Sequence, residues 1–288
     1  MPVSKVSEIF AERIDRTIEE VIKVDALDEK VLVDEIKEYH PTPSIQSQMG
    51  QVLEAGKSSF AKLLGVLLGS MQIGQQDAID LFSKRVTEGS IKVLLQQIRE
   101  RLPTHVVIFD ILKDNIAGAK EHPVTTVMYK ALLRSLGYSQ DIDLAELEIN
   151  LEQNDQLDAF KERFAEQYSG KQWDKQKQLT MVAFNQASAV LHSLDPQTYP
   201  SQDSWLHSPR KAEISPRKLA ERVLLLSKMR ANDKHVVFVV DEIGQYTARE
   251  LSRIGDLQGV IESFSQLGQG KVWLVGTSQE KLEAIVDI

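Results

Sequence analysis

The chain of 288 residues contains no cysteine and no long apolar run. Without cysteine it has neither a disulfide framework nor a thiolate metal site. Its longest apolar stretch, residues 63–68, is far shorter than the roughly 20 residues that a membrane-spanning helix needs. We therefore expect a cytoplasmic protein that does not cross a membrane.

An excess of positive charge is also lacking. The sequence has 34 Lys and Arg against 42 Asp and Glu, a formal net charge of -8. Non-specific nucleic-acid binding needs many cationic side chains to displace counterions, so any DNA contact has to be local. Two SPRK segments, 208–211 and 215–218, are candidates for such a contact. The second also fits a helix start, with Ser215 as N-cap and Pro216 in the first turn.

Three short apolar runs stand out against a largely helical pattern. They cover residues 106–110, 236–241 and 272–277. Near-continuous apolar segments of this length are typical of parallel strands that are buried on both faces. The sequence therefore predicts an α/β protein in which helices flank a parallel sheet, with a long helical insertion over about 115–234.

A helical pattern also covers residues 57–69, directly after a Gly-Lys-Ser triplet. Its apolar residues recur at helical spacing, and we expect them to be buried. They are Phe60, Leu63, Leu64, Leu67 and Leu68. A tight turn followed by such a helix is how a phosphate-binding P-loop ends.

The P-loop motif is incomplete at its front. The full pattern places a glycine five residues before Gly56, where Gln51 stands, and no strand-like stretch precedes it. Two explanations stay open. Either the protein has lost the strand and the glycine-rich arc, or the molecule contains residues between Ala55 and Gly56 that this sequence does not include. We favour the second explanation, since the other parts of the site are retained.

Polar residues follow the second and third predicted strands. Asp241 and Glu242 end one strand, and Thr277 and Ser278 end the other. Ligands of parallel sheets bind at the carboxyl ends of the strands, so these residues are expected at one edge together with the Gly56 turn. Acids at a buried strand end are costly unless they hold a cation or a water. Two alternatives stay open. Asp241 and Glu242 could simply face solvent, and Thr277 and Ser278 could belong to an ordinary turn.

In this order, the segments describe a P-loop NTPase of the ASCE/AAA-like class, which inserts a strand between the Walker A and Walker B strands. ATP would contact four residues of the loop: Gly56, Lys57, Ser58 and Ser59. Phosphoryl-transfer chemistry then assigns Lys57 to the β- and γ-phosphates, Ser58 and Asp241 to Mg²⁺, and Glu242 to the attacking water. Thr277 or Ser278 would sense the γ-phosphate.

The segments GKSSFAKLLG, VVFVVDEIGQYTA and GKVWLVGTSQEKL together resemble the BrxC/PglY family, the large P-loop ATPases of bacterial BREX phage-defence systems. The stretch from Val6 to Thr42 is similar to the amino-terminal segment of that family. The resemblance implies an ATPase subunit, forming homo-oligomers, that works with a methyltransferase and other defence proteins on foreign DNA. It also implies that the chain is the amino-terminal part of something longer.

The predicted organisation is therefore a helical segment over 1–55 and an ATPase domain over 56–288. Three functions stay open. The first is an ATP-hydrolysing subunit of a BREX-type complex, which the intact acidic pair favours. The second is a nucleotide-dependent or degenerate scaffold without appreciable turnover. The third is a DNA-binding, initiator-like ATPase, which would need the SPRK segments to touch phosphates.

Overall fold

The computed structural model describes residues 60–73, 75–84, 86–115, 123–207, 214–248 and 251–277. The predicted segment 1–55 and the loop residues Gly56, Lys57, Ser58 and Ser59 lie outside these ranges, as does Ser278. The described residues of Met1–Val127 and Ser215–Ile288 form one compact unit, and those of Met128–Ile214 form a second. The domain boundaries that the sequence suggests stay a prediction.

The described elements up to Asn115 and after Ser215 include strands and helices, and those between them are all helical. The first are α1 (60–68), β1 (Gln72–Ile73), β2 (Gln76–Asp77), α2 (Ala78–Ser83), α3 (Gly89–Arg101), β3 (Thr104–Asp110) and α4 (Ile111–Asn115). The middle contains α5 (Val124–Ser135), α6 (Ile142–Gln153), α7 (Leu157–Gln167), α8 (Trp173–Gln176), α9 (Thr180–Leu194) and a 3₁₀ turn (Trp205–His207). The last are α10 (Pro216–Arg230), β4 (His235–Asp241), α11 (Ile243–Ala248), α12 (Leu251–Gly268) and β5 (Val272–Gly276).

The three long strands form a parallel sheet in the order β3-β4-β5. Asp110 at the end of β3 pairs in register with Asp241 at the end of β4, and Val240 pairs with Gly276 of β5. The predicted α/β class, with a parallel sheet between helices, is thus confirmed. The first two strands form only a small antiparallel pair.

Alternate side chains of β4 face opposite layers of helices. Val237 and Val239 pack in one cluster with Ala61 and Leu68 of α1. On the other face, the ring of Phe238 stacks on that of Phe264 of α12, with centroids 5.6 Å apart. β4 is buried along almost its whole length, which explains why its sequence is a continuous apolar run.

Helix α1 lies close against the sheet because it carries a glycine at the contact. A Cβ on Gly65 would lie 2.9 Å from Cδ1 of Ile108 and 3.2 Å from Cγ2 of Val239. The predicted burial of this helix is correct for Leu67 and Leu68, but it is wrong for Leu63, which is 41% exposed. The small residues of α1 face the sheet, so the buried stripe is rotated away from Leu63.

Helix α10 begins where the sequence predicts. The hydroxyl of Ser215 accepts a hydrogen bond from the Lys218 amide, and Pro216 occupies the first turn. The chain leaves the helix through two residues in the left-handed region, Asn232 at φ 54° and Asp233 at φ 56°. The second SPRK segment is therefore a helix start.

The helical unit has its own core around Trp173, whose ring meets Phe160 and Phe164 edge-on at centroid distances of 5.1 and 5.2 Å. Beside it lies a buried ion pair. Lys177 Nζ donates to Glu148 Oε1 at 2.9 Å, and that oxygen also accepts from Trp173 Nε1 at 2.9 Å. Because both charges are paired and hydrogen-bonded, this cluster is structural.

Within the residues that the structure describes, no helix is long and apolar enough to cross a membrane.

Candidate functional site

Two acids mark the carboxyl end of β4. Asp241 is the last residue of the strand and is only 4% exposed. Glu242 follows with a φ of 62°, in the left-handed region that residues with a side chain rarely adopt. Such a conformation costs on the order of 1–3 kcal/mol and persists only where the surroundings hold it. Contacts with neighbouring residues must therefore hold the turn after β4 in this conformation.

Thr277 holds both acids in place. The amide of Glu242 donates to Thr277 Oγ1 at 3.0 Å, and the same hydroxyl donates to Asp241 Oδ1 at 2.7 Å. Thr277 is itself fixed by its amide, which donates to the Val240 carbonyl at 3.0 Å. A hydroxyl has one hydrogen, and here Asp241 receives it. In this arrangement, Thr277 positions the acids.

The second oxygen of Asp241 faces a lysine. Lys62 Nζ of α1 lies 3.2 Å from Asp241 Oδ2. The carboxylate side chain is 6% exposed, whereas the lysine side chain is 52% exposed. Asp241 Oδ1 therefore faces Thr277, the residue after β5, and Oδ2 faces Lys62 of the helix that follows the Gly-Lys-Ser triplet.

A second lysine balances the end of β3. Asp110 Oδ1 accepts from the amides of Leu112 and Lys113, each at 3.1 Å, and so caps the short helix α4. Its Oδ2 pairs with Lys113 Nζ at 2.7 Å. Asp110, and to a smaller extent Asp241 and Glu242, raise the pKa of Lys113 above its ordinary value. The carboxylates at this edge thus stabilise the charged form of Lys113.

The residues at this edge fit a divalent cation in their chemistry. Carboxylate and hydroxyl oxygens are the ligands that Mg²⁺ prefers, and Asp241 already faces a cationic group at 3.2 Å. Among the described residues, no group of three or more acids and histidines has the spacing of a metal cage. A P-loop site needs no such cage, since substrate phosphates and waters supply most of the ligands.

The structure brings together three of the predicted site residues, Asp241, Glu242 and Thr277, at the carboxyl edge of the sheet. Two further residues at this edge, Lys62 and Lys113, were not predicted from the sequence. A signal for Lys62 exists: it stands four residues after Ser58, one turn along a helical pattern, and so on the same face.

The outer edge of β5 has a distinct register. Lys271 accepts from the Val236 amide and Thr277 donates to Val240, so odd-numbered residues direct their backbone groups toward β4. Val272, Leu274 and Gly276 then direct theirs to the opposite side. Within the described ranges, no strand pairs with that side.

Of the two SPRK segments, the second lies among the described residues. Arg217 of the second segment pairs with Glu221 on the same helix at 3.1 Å. The first segment, 208–211, lies outside the described residues.

Comparison with known proteins finds no family model that matches the chain and no solved structure that matches it.

Proposed function

We propose that this chain is an ATP-binding and ATP-hydrolysing subunit of the P-loop class. The observation that carries the proposal is the meeting of Asp241, Glu242 and Thr277 at the carboxyl edge of a parallel sheet. The acidic strand β4 lies between the other two strands, and the helix after the Gly-Lys-Ser triplet reaches its acid through Lys62. A nucleotide at this edge would meet the features that phosphoryl transfer requires.

Each residue then has one task. Asp241 and Ser58 would hold Mg²⁺ directly or through water, and Lys57 would neutralise the β- and γ-phosphates. Bound Mg²⁺ supplies the positive charge that offsets the charge developing on the phosphates. Glu242 orients the attacking water and accepts its proton. Thr277 keeps the two carboxylates in their relative positions.

Among the described residues, no strand pairs with the outer edge of β5, and this favours an additional strand there. A parallel strand ahead of Gly56 would find backbone partners at Val272, Leu274 and Gly276. Such a strand is what a complete P-loop requires. We therefore favour the explanation that the molecule contains residues between Ala55 and Gly56 that this sequence does not include.

ATP binding tests the first half of the proposal. Lys57→Ala should weaken the binding of a fluorescent ATP analogue about tenfold or more, since a compensating charge is removed from the phosphates. Asp241→Asn should reduce the gain in affinity that Mg²⁺ provides. Asp256→Asn is the matched control, because Asp256 is an exposed acid on α12 of the same unit. Equal binding by the parent and Lys57→Ala would refute the assignment.

A scaffold without turnover is the second candidate. Two observations favour it. Thr277 and Lys62 already contact the two oxygens of Asp241, and the P-loop motif in the sequence is incomplete. The two functions separate in one experiment. A scaffold would bind nucleotide or partners and show no hydrolysis that depends on Glu242, even with partners and DNA present.

Membership in a BREX-type defence complex rests on the three motifs that resemble BrxC/PglY ATPases. We therefore propose a methyltransferase and other defence factors as its partners, and a homo-oligomer as its active form. In a host that carries the complete system, Glu242→Gln should abolish protection against phage, although the variant protein is present at the parental level. Full protection by that variant would contradict an ATPase role in defence.

A further inference from the structure

Lys62 and Asp241 form an ion pair of unequal partners. The carboxylate is almost fully enclosed, at 6% exposure, while half of the lysine side chain reaches solvent. Asp241 therefore depends on a nearby cation far more than Lys62 depends on an anion, because burial penalises an uncompensated charge. The ammonium group can turn to water at little cost, and the carboxylate cannot.

The pair is held by rigid elements on both sides. Gly65 allows α1 to pack closely against β3 and β4, since a Cβ at this position would lie 2.9 Å from Ile108. Asp241 is fixed by its hydrogen bond from Thr277 at 2.7 Å. The lysine side chain is the flexible part of the arrangement. A long side chain on a fixed helix can leave the carboxylate without any backbone movement.

The ammonium group of Lys62 lies against the carboxylate that the proposed function assigns to Mg²⁺. Asp241 accepts from the Thr277 hydroxyl through Oδ1, and its Oδ2 lies 3.2 Å from Lys62 Nζ, so a metal ion drawn to this carboxylate would meet the ammonium group. Both groups carry positive charge and seek the same carboxylate oxygen. The repulsion between two cations at one carboxylate makes each of them bind it more weakly.

We propose that Lys62 is a tethered cation that competes with Mg²⁺ for Asp241, and that it is displaced when metal and nucleotide bind. The inference rests on the proposed function. Lys62 stabilises the metal-free carboxylate and raises the Mg²⁺ concentration at which the site becomes occupied. A lysine that instead contacts a phosphate of the nucleotide would have the opposite effect on affinity.

The test compares ATP affinity in Mg²⁺ with ATP affinity in EDTA, using the complete chain and titration calorimetry. Lys62→Gln removes the charge at similar length, and Lys62→Arg keeps it. Lys113→Gln is the matched control, since Lys113 also pairs with an acid at the same edge and is 80% exposed. This control removes one positive charge from the region without touching Asp241.

Lys62→Gln should increase the ratio of the two affinities about fivefold, the scale of a partly exposed ion pair. Lys62→Arg and Lys113→Gln should leave the ratio within about twofold of the parent. The midpoint of the Mg²⁺ titration at fixed ATP should move to lower concentration in Lys62→Gln alone.

An unchanged ratio in Lys62→Gln would overturn the competition. Weaker ATP binding by the same factor in Mg²⁺ and in EDTA would overturn it as well, and would place Lys62 on a phosphate. Either result leaves the proposed function intact if Asp241→Asn still removes the Mg²⁺ dependence. Absence of ATP binding by the parent itself would refute the proposed function and, with it, the competition.

Discussion

Replacing Thr277 by valine should remove the hydrogen bonds that hold Asp241 and Glu242 in position. The hydroxyl accepts from the Glu242 amide at 3.0 Å and donates to Asp241 Oδ1 at 2.7 Å, and valine offers neither group. The side chain keeps its branched shape, so packing changes little. The change therefore isolates two hydrogen bonds.

The cost follows from the two partners that are left. An amide that loses its acceptor costs about 1–3 kcal/mol, and a hydrogen bond to a charged group contributes about 1.5–3 kcal/mol. Thr277 is only half-buried, so water can replace part of both contacts. We expect Thr277→Val to lower the free energy of unfolding by about 2–4 kcal/mol. Thr277→Ser keeps the hydroxyl and should lose about 1 kcal/mol or less.

Urea unfolding of the parent and the two variants measures the stability difference, and amide hydrogen exchange at Glu242 locates it. Exchange at Glu242 should accelerate in Thr277→Val and stay near the parental rate in Thr277→Ser. If Thr277→Val were as stable as Thr277→Ser, with Glu242 equally protected in both, the bridging role of the hydroxyl would be wrong.

Three further predictions concern other parts of the chain. Lys177→Met leaves Glu148 charged and buried without its cation, so thermal and urea unfolding should show a loss of about 3–5 kcal/mol; a loss below about 1 kcal/mol would mean that the pair is not buried in solution. Burial lowers the pKa of His105 and of His235 below 6.5, and a nearby positive charge lowers each pKa further, from Lys234 for His105 and from Lys271 for His235. Their neutral forms therefore stabilise the fold above pH 6.5, and this contribution is lost as the pH falls through the lowered pKa values. Replacing both histidines by Gln should flatten the pH dependence of stability in this window, and an unchanged slope would contradict the shifts. If the molecule contains residues between Ala55 and Gly56 that this sequence does not include, its intact mass should exceed 32.5 kDa. A measured mass of 32.5 kDa would favour true loss of the glycine-rich part of the P-loop.

Local signals in the sequence were sufficient for the strands and for the start of α10. A continuous apolar run such as 236–241 has few alternatives to a buried strand, and Ser215 followed by Pro216 satisfies the needs of a helix N-terminus without any tertiary contact. The carboxyl edge of the sheet follows from the same logic, since parallel strands end together. Fold class and the meeting of Asp241 with Thr277 could therefore be predicted.

Contacts that depend on side-chain reach could not be predicted. Leu63 fits the helical spacing, yet it is exposed because small residues and Gly65 allow the opposite stripe of α1 to approach the sheet. The buried pair of Glu148 and Lys177 joins residues 29 apart in sequence, and neither position has a local pattern that marks it as buried. The Lys62 contact with Asp241 likewise depends on how α1 is placed.

Glu242 is the residue on which the central claim depends, and single-turnover hydrolysis of ATP by the complete chain, with its partners and DNA, tests it most directly. Glu242→Gln keeps the size and the backbone turn but removes the base, so it should bind ATP as the parent does and hydrolyse it on the order of 10²-fold more slowly. Glu262→Gln makes the same chemical change at an exposed position on α12 and should hydrolyse ATP at the parental rate. Parental hydrolysis by Glu242→Gln would contradict the assignment of the base, and absence of hydrolysis by the parent would contradict the ATPase itself.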